Sequence, residues 1–393
     1  MEKMSILNDD QRAILETVGR FAREEVAPRA AKLDANQDPL DCYSFEIVEK
    51  AHELGIRTMT LGEEWGGLGV DSLTTAMVVE DLAKADMGVS VVMAQTFKIA
   101  QIMQRAMNAE QKARVLPGFA QDPRGVLAIG MSEPGNGSDK HLSIPVPFAT
   151  HATRAEGGWV VNGMKHFISN GNRASHYLLM VQTDRTKTME DGATCFLVER
   201  GRPGFTIGRV HDKMGERLAN NSELVFQDCF IPDANVVGEV GKSGAVFADF
   251  SPQSNAYAGA TVLGVAVALY EKAVAWAKTR VQGGKTLIEH DGIRAQLGEM
   301  RMLIDASRAY IHRAAWLADH RDQGWDATLG ILPKAMAAQS AWKIATWTLE
   351  IHGGHGYMKE LGVEKLVRDA AAFLHSDGVN RTLFLKAANR LFR

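Results

Sequence analysis

The period of the apolar residues changes twice along this chain, and that change limits the folds open to it. From Asn8 to about Ala31, the residues Ile14, Leu15, Val18, Phe21, Ala22 and Val26 recur at helical spacing, with Asn8 or Asp9 able to cap the helix. Further helices are expected over 44–55, from a Ser72 cap onward, over 89–107 and over 109–120. After QDPRG the spacing shortens to the alternation of strands, in VLAIGM, GGWVVNG, YLLMVQT, ATCFLVER and SELVFQD, with Gly, Asn and Asp between them. Past GEVGKSG the helical spacing returns over 256–281, 291–320, 332–353 and 363–374, with a last turn from Asn380. The expectation is a mainly α chain with a central β-domain. It has an N-terminal helical domain over 1–125, a middle β-barrel over 126–240 and a C-terminal four-helix bundle over 241–393.

Charge and cysteine content narrow the function classes. A formal charge of −3 over 393 residues favours neither nucleic acid nor a membrane surface as partner. Cys42, Cys195 and Cys229 lie far apart and in no metal-binding spacing, so neither disulfides nor a zinc site are expected and a reducing compartment is. The opening MEKMSILNDDQRAILETV has neither a basic start with an apolar run nor an Arg-rich, acid-poor character, and no later segment reads as an uninterrupted apolar span of membrane length. A cytoplasmic protein is the expectation.

Two stretches carry the candidate chemistry. MSEPGNGSD, from Met131, leads a strand end into a turn where Pro134, Gly135 and Gly137 suit a tight path that exposes backbone N–H groups. VVNGMKHFISNG, ending at Gly171, brings the ring of Phe167 and the hydroxyl of Ser169 alongside Ser132 and Ser138. Such a set suits a flat ring with polar edges, and equally two ordinary turns that hold nothing.

Together the two stretches resemble the acyl-CoA dehydrogenase family, whose middle domain carries a TEPGAGSD-like turn and a K-x-W-I-[ST]-N-G-like strand end. GEEWGGLGVDSLTTAMVVEDLAK resembles the family's N-terminal loop and helix, FLVERGRPGFTIGRVHDKMGERLANNSELVFQDCFIPDANVVGEVGKSG its middle domain, and IHGGHGY and KLVRDAAAF its C-terminal domain. The resemblance implies FAD held between the β-domain and the bundle, completed by a neighbouring subunit of a homotetramer or dimer. It gives Met131 and Ser132 the flavin edge, and Phe167 and Ser169 the ring face and rim. It sets Arg280, with Gln282 nearby, on the pyrophosphate of the other subunit's FAD, and Gly353 and Gly354 beside the adenosine half. Val379 and Arg381 complete the cofactor set, while Ser138 and Gly378 belong to the acyl-CoA substrate. Departures from the family pattern are Phe167 for Trp, Gln282-Gly283-Gly284 for a T-F-G-like segment, and Asp291 and Glu350 for Gln. Carboxylates close to a pyrophosphate repel it unless turned away.

The family's usual base is a Glu seven residues after the Ala of R-D-A, and counting from Ala370 reaches Asp377. Its carboxylate is one methylene shorter, so substrate or backbone must sit differently. His375 is a nearby second candidate; Ser254 stands where other members keep their base, and Asn255 replaces an expected arginine. His312, His352 and His355 read as structural. Gln95, Thr96, Lys98, Ile99 and Met103 fall on the helix that lines the acyl pocket in relatives, and Lys98, if it faces that pocket, makes an acidic or polar acyl group plausible. The resulting expectation is an FAD-dependent acyl-CoA dehydrogenase that forms a 2,3-enoyl thioester and passes electrons to an electron-transfer flavoprotein. A flavoenzyme of divergent chemistry (enoyl-CoA reductase, desulfinase or monooxygenase) and a non-catalytic acyl-CoA-binding protein are the rivals.

Overall fold

Asn8 opens the first helix with a capping box: its side chain accepts from the Gln11 N–H at 2.8 Å, and the Gln11 side chain accepts from the Asn8 N–H at 3.1 Å. A computed structural model describes residues 7–137, 146–248 and 250–392, without the side chains of 251 and 252. The helix expected up to Ala31 is α1 (Asp9–Phe21) continued through a π-helical turn, Ala22–Val26, into α2 (Ala27–Asp34). Ser44 caps α3 (Phe45–Glu53). The cap of α4 (Ser72–Ala85) is Asp71, which accepts from the Thr74 N–H at 2.8 Å, and not Ser72. Ser72 instead donates its N–H and hydroxyl to Asp319, at 2.7 and 2.8 Å. Asp86 and Asn108 cap α5 (Met87–Ala106) and α6 (Ala109–Gln121).

The middle of the chain forms β1 (Leu127–Gly130), β2 (His151–Ala155), β3 (Gly158–Ser169), β4 (His176–Gln182), a short α7 (Met189–Gly192), β5 (Ala193–Glu199), β6 (Phe205–Val210), β7 (Asn221–Pro232) and β8 (Val236–Val237). Their order is β6-β7-β3-β2-β4-β5-β8, with β1 parallel to β4. The sheet is open: the end strands β6 and β8 do not pair, which corrects the expected barrel. A single residue pair, His151 with Gln182, joins β2 to β4, so an antiparallel ribbon (β2-β3-β7-β6) and a mixed one (β1-β4-β5-β8) fold over a shared core of Trp159, Tyr177, Phe196, Phe205 and Phe226.

Helices return with α8 (Ser243–Ala248) and α9 (Ser251–Thr279), then a hairpin of β9 (Val281–Gln282) and β10 (Lys285–Thr286). There follow α10 (Asp291–Asp319), α11 (Leu332–His352), the single turn α12 (Gly354–Tyr357), α13 (Val363–Ala372) and α14 (Asn380–Leu391), a full helix where only a turn is expected. The α9, α10, α11 and α13 helices pack as a bundle, and α4 from the N-terminal region packs onto α9. One apolar core therefore runs from Leu7 to Phe373. The stretch Gln253–Thr279 is long and apolar enough to cross a membrane by composition, contrary to the sequence expectation, but 72% of its most apolar window is buried inside the fold. Its apolarity is that of a helix whose 256–269 stretch is buried by its neighbours.

Candidate functional site

A buried ion pair joins the two stretches singled out in the sequence. Lys165 Nζ, on β3, donates to Glu133 Oε1 at 2.8 Å, with both side chains excluded from water. The same carboxylate accepts from the Ala149 and Thr150 N–H groups at 2.7 and 3.0 Å, and the ammonium lies 3.8 Å from the centre of the Phe148 ring. Three donors, one of them an ammonium, thus satisfy this buried carboxylate. The turn after β1 is thereby fixed to the end of β3, and the His166 N–H donates to the Ser132 carbonyl at 2.8 Å.

Phe167 follows, in the left-handed region at φ 58° and 60% exposed. Its carbonyl accepts from the Asn221 side-chain amide at 3.1 Å, and that amide also reaches Ser169 Oγ at 3.4 Å. The Asn170 amide donates to the Val92 and Leu127 carbonyls, both at 3.1 Å, and so ties this strand end to α5 and β1. Met131 is half-buried against the small cluster of Phe148, Met180 and Met189. The structure thus brings Met131, Ser132, Phe167 and Ser169 to one edge of the sheet, with an aromatic ring held outward; Ser138 lies outside the described residues.

The second cluster sits where the loop between α13 and α14 meets α5 and α9. Asp377 Oδ2 lies 3.3 Å from Lys98 Nζ, which is itself 3.3 Å from Ser254 Oγ. Lys98 is buried, and 29% of the Asp377 side chain is accessible. Below them Lys334, with no exposure, donates to the Gly378 carbonyl at 2.7 Å and to Asn380 Oδ1 at 2.9 Å. Burial pulls the Lys334 ammonium down to about 8, and the Asp377 charge opposes that fall. Burial, then Lys334, also lower His375, which keeps it neutral at pH 7. The loop is held from α13 by a further buried set: Lys365 donates to Asp86 at 2.7 Å and to Asp369 at 2.8 Å, and Asp369 accepts from the Glu216 N–H at 2.6 Å. Burial alone would lower Lys365, but Asp369 and Asp86 more than reverse it and hold it above its ordinary value.

Of the remaining expected residues, Val379 and Arg381 adjoin the second cluster in sequence, and Arg280, Gln282, Gly353 and Gly354 lie at the surface. Arg280 is exposed at the end of α9, 5.9 Å from the Trp276 ring centre and 3.4 Å from Gln282 Oε1. Gly353 ends α11 at φ 56°, a conformation that side chains resist, and a Cβ added at Gly354 meets nothing within 4 Å. Val379 caps α14, and Arg381 is exposed in its first turn. Asp291 is exposed and 3.5 Å from Arg294; Glu350 is exposed too. Sequence reasoning missed the Glu133–Lys165 pair, although both residues stand inside the singled-out stretches. It also missed His166, His211 and Glu223, whose ligand-type atoms lie within 4.8 Å of one another beside Phe167 and which follow no spacing rule. Burial, then the neighbouring His166, lowers His211.

Comparison with known proteins covers nearly the whole chain. Family models match in three places: acyl-CoA dehydrogenase N-terminal domain over residues 8–122, middle domain over 128–229 and C-terminal domain over 254–392. A short-chain specific acyl-CoA dehydrogenase of Megasphaera elsdenii is 32% identical, with 98% of this chain and 99% of that protein covered. The three-dimensional structure of butyryl-CoA dehydrogenase from the same organism superposes with a TM-score of 0.90 at 30% identity over the full length of both chains. A complex of PigA with FAD superposes at 0.89 and 26% identity, covering 100% of this chain and 99% of that one.

Proposed function

Because this chain belongs to the acyl-CoA dehydrogenase family, we propose that it is an FAD-dependent enzyme that oxidises an acyl-CoA thioester to the 2,3-enoyl thioester. Asp377 is the base in this reading. The surroundings of its carboxylate carry the proposal: Asp377 Oδ2 lies 3.3 Å from the Lys98 ammonium of α5, which in turn lies 3.3 Å from Ser254 Oγ of α9. With 29% of its side chain accessible, the carboxylate can meet a substrate, and a bound thioester would shield it from water as it takes a proton from the carbon beside the carbonyl.

The residues of the first cluster fit a flavin. A ring held 60% exposed by a left-handed backbone is unfavourable unless something covers it, and a flat heteroaromatic does so. Met131, Ser132, Phe167 and Ser169 would hold that ring. Arg280, with Gln282, would meet the pyrophosphate of a neighbouring subunit's cofactor, and Gly353 and Gly354 leave space for its adenosine half. Val379 and Arg381 lie on the same side of Asp377 in sequence. FAD supplies the two-electron acceptor. The chain supplies the rest: Asp377 removes the α-proton, its backbone N–H donates to the thioester carbonyl, and Gly378 lets the acyl group approach the loop. Ser138 belongs to the carrier end of the substrate. A cytoplasmic homo-oligomer, dimer or tetramer, that hands electrons to an electron-transfer flavoprotein completes the reading.

Anaerobic mixing of the yellow protein with a panel of acyl-CoA thioesters tests it. Loss of flavin absorbance in the wild type is expected, and Asp377→Asn is expected to slow it at least about 1,000-fold, since removal of the base leaves positioning alone. Unchanged bleaching by Asp377→Asn would remove Asp377 from the reaction.

A further inference from the structure

Lys98 is buried on α5, as are the polar Thr96 and Gln101. Ala94 and Ile102, one helical turn away on either side, are buried with it on α5. An ammonium in such surroundings needs its three donors satisfied. Among the described residues it finds only Asp377 Oδ2 and Ser254 Oγ, both at 3.3 Å. Charge-assisted bonds of this kind usually close to about 2.7–2.9 Å. The ammonium is therefore loosely held by both partners, and it blocks one face of the oxygen that has to accept a proton.

The charges around it do not balance. Lys98 and Lys334 flank Asp377, two ammonium groups to one carboxylate. Glu216, the other carboxyl that feels Asp377, already has a partner in Lys213 at 3.5 Å. Two cationic side chains thus stand beside the carboxylate of Asp377, and a guest carboxylate would find in Lys98 a donor that Asp377 does not hold closely.

We propose that Lys98 is the specificity determinant of the acyl pocket, and that the acyl group it selects ends in a carboxylate. The proposal rests on the acyl-CoA dehydrogenation reading above and names its substrate class: the CoA monothioester of a short dicarboxylic acid. The guest carboxylate takes the ammonium of Lys98, with the Ser254 hydroxyl as a second donor, and draws it off Asp377. The base is thus uncovered only when the right acyl group is present. Length follows from the geometry. The base touches the α-carbon at about 3–3.5 Å, and a paired carboxylate sits about 2.8 Å from the ammonium. With ammonium and base 3.3 Å apart before the guest arrives, these contacts set an upper limit on the span of the acyl chain, and chains of about four to six carbons fall under it.

The test uses the FAD-loaded protein as wild type, Lys98→Met and Lys98→Arg, with succinyl-, glutaryl-, adipyl-, butyryl- and hexanoyl-CoA. Anaerobic flavin bleaching gives kcat/KM, and calorimetric titration with the corresponding 2,3-enoyl thioesters gives affinity independent of turnover. The wild type should favour at least one dicarboxylic thioester over its uncharged counterparts by about 10- to 100-fold, the range of a charged hydrogen bond. Lys98→Met should abolish or reverse that preference in both measurements, and Lys98→Arg should retain most of it. A wild type that handles butyryl- or hexanoyl-CoA as well as the dicarboxylic thioesters overturns the proposal, whatever the variants do. So does a preference that Lys98→Met leaves intact. Should no thioester bleach the flavin, dehydrogenation falls, while the calorimetric ratio still decides for or against Lys98.

Discussion

Asp377 occupies the left-handed region at φ 52°, and Gly378 follows at 103°. Two such residues in succession set the direction of the Asp377 side chain, whose carboxylate reaches Lys98 on α5. Lengthening it should therefore not help: Asp377→Glu is expected to lower kcat by about 10- to 100-fold in the bleaching assay, because the added reach misplaces the oxygen by about 1 Å. A second residue-scale effect concerns stability. Burial, then Arg308, pushes His312 on α10 down to about 4. Between its ordinary value of 6.5 and that value the unfolded chain binds a proton that the folded chain refuses. Stability therefore falls as pH drops from about 6.5 to 4. Exchange of His312 for Gln should flatten this loss by up to about 2 kcal/mol, read from urea unfolding at pH 7 and pH 4.5.

Among the elements, α5 and α13 depend on each other through Lys365, which links the cap of α5 at Asp86 to Asp369. Lys365→Met leaves two buried carboxylates without their cation and should cost about 3–5 kcal/mol in thermal or denaturant unfolding. Lys365→Arg should recover part of it. The strongest elements were legible in the sequence because their apolar period is long: α5, α9, α10 and α11 lie within a few residues of expectation, and the first helical run does so only when α1, the π-helical turn and α2 are taken together. The strands that were missed have no such pattern. In β2, HATRA has one fully buried side chain, and β6 has only Phe205. Closure into a barrel was not readable either, since pairing between distant strands leaves no local signal. The site divides the same way. MSEPGN and KHFISNG were visible as strings, whereas the contact of Lys98 with Asp377 spans 279 positions and depends wholly on how α5, α9 and the α13–α14 loop pack.

At the scale of the whole molecule, the C-terminal part exposes Met302 (58%), Tyr357 (74%) and Met358 (50%), with Trp316 and Trp342 more than a third exposed. The homo-oligomer proposed above would cover part of such surface. If Arg280 reaches a neighbour's cofactor, Arg280→Glu should elute from gel filtration at the same size but with its FAD-to-protein ratio reduced by half or more. An unchanged ratio would make Arg280 an ordinary helix-end cation. Finally, the packing of α4 against α9 bears on biosynthesis. The surface that α9 will cover leaves the ribosome with α4, and α9 follows only after the entire sheet has been made. At about 5–20 residues per second that is a wait of roughly ten to thirty seconds with an oily flank uncovered. A nascent chain of this design calls for a chaperone during translation, and messages truncated before Ser251 should yield insoluble product.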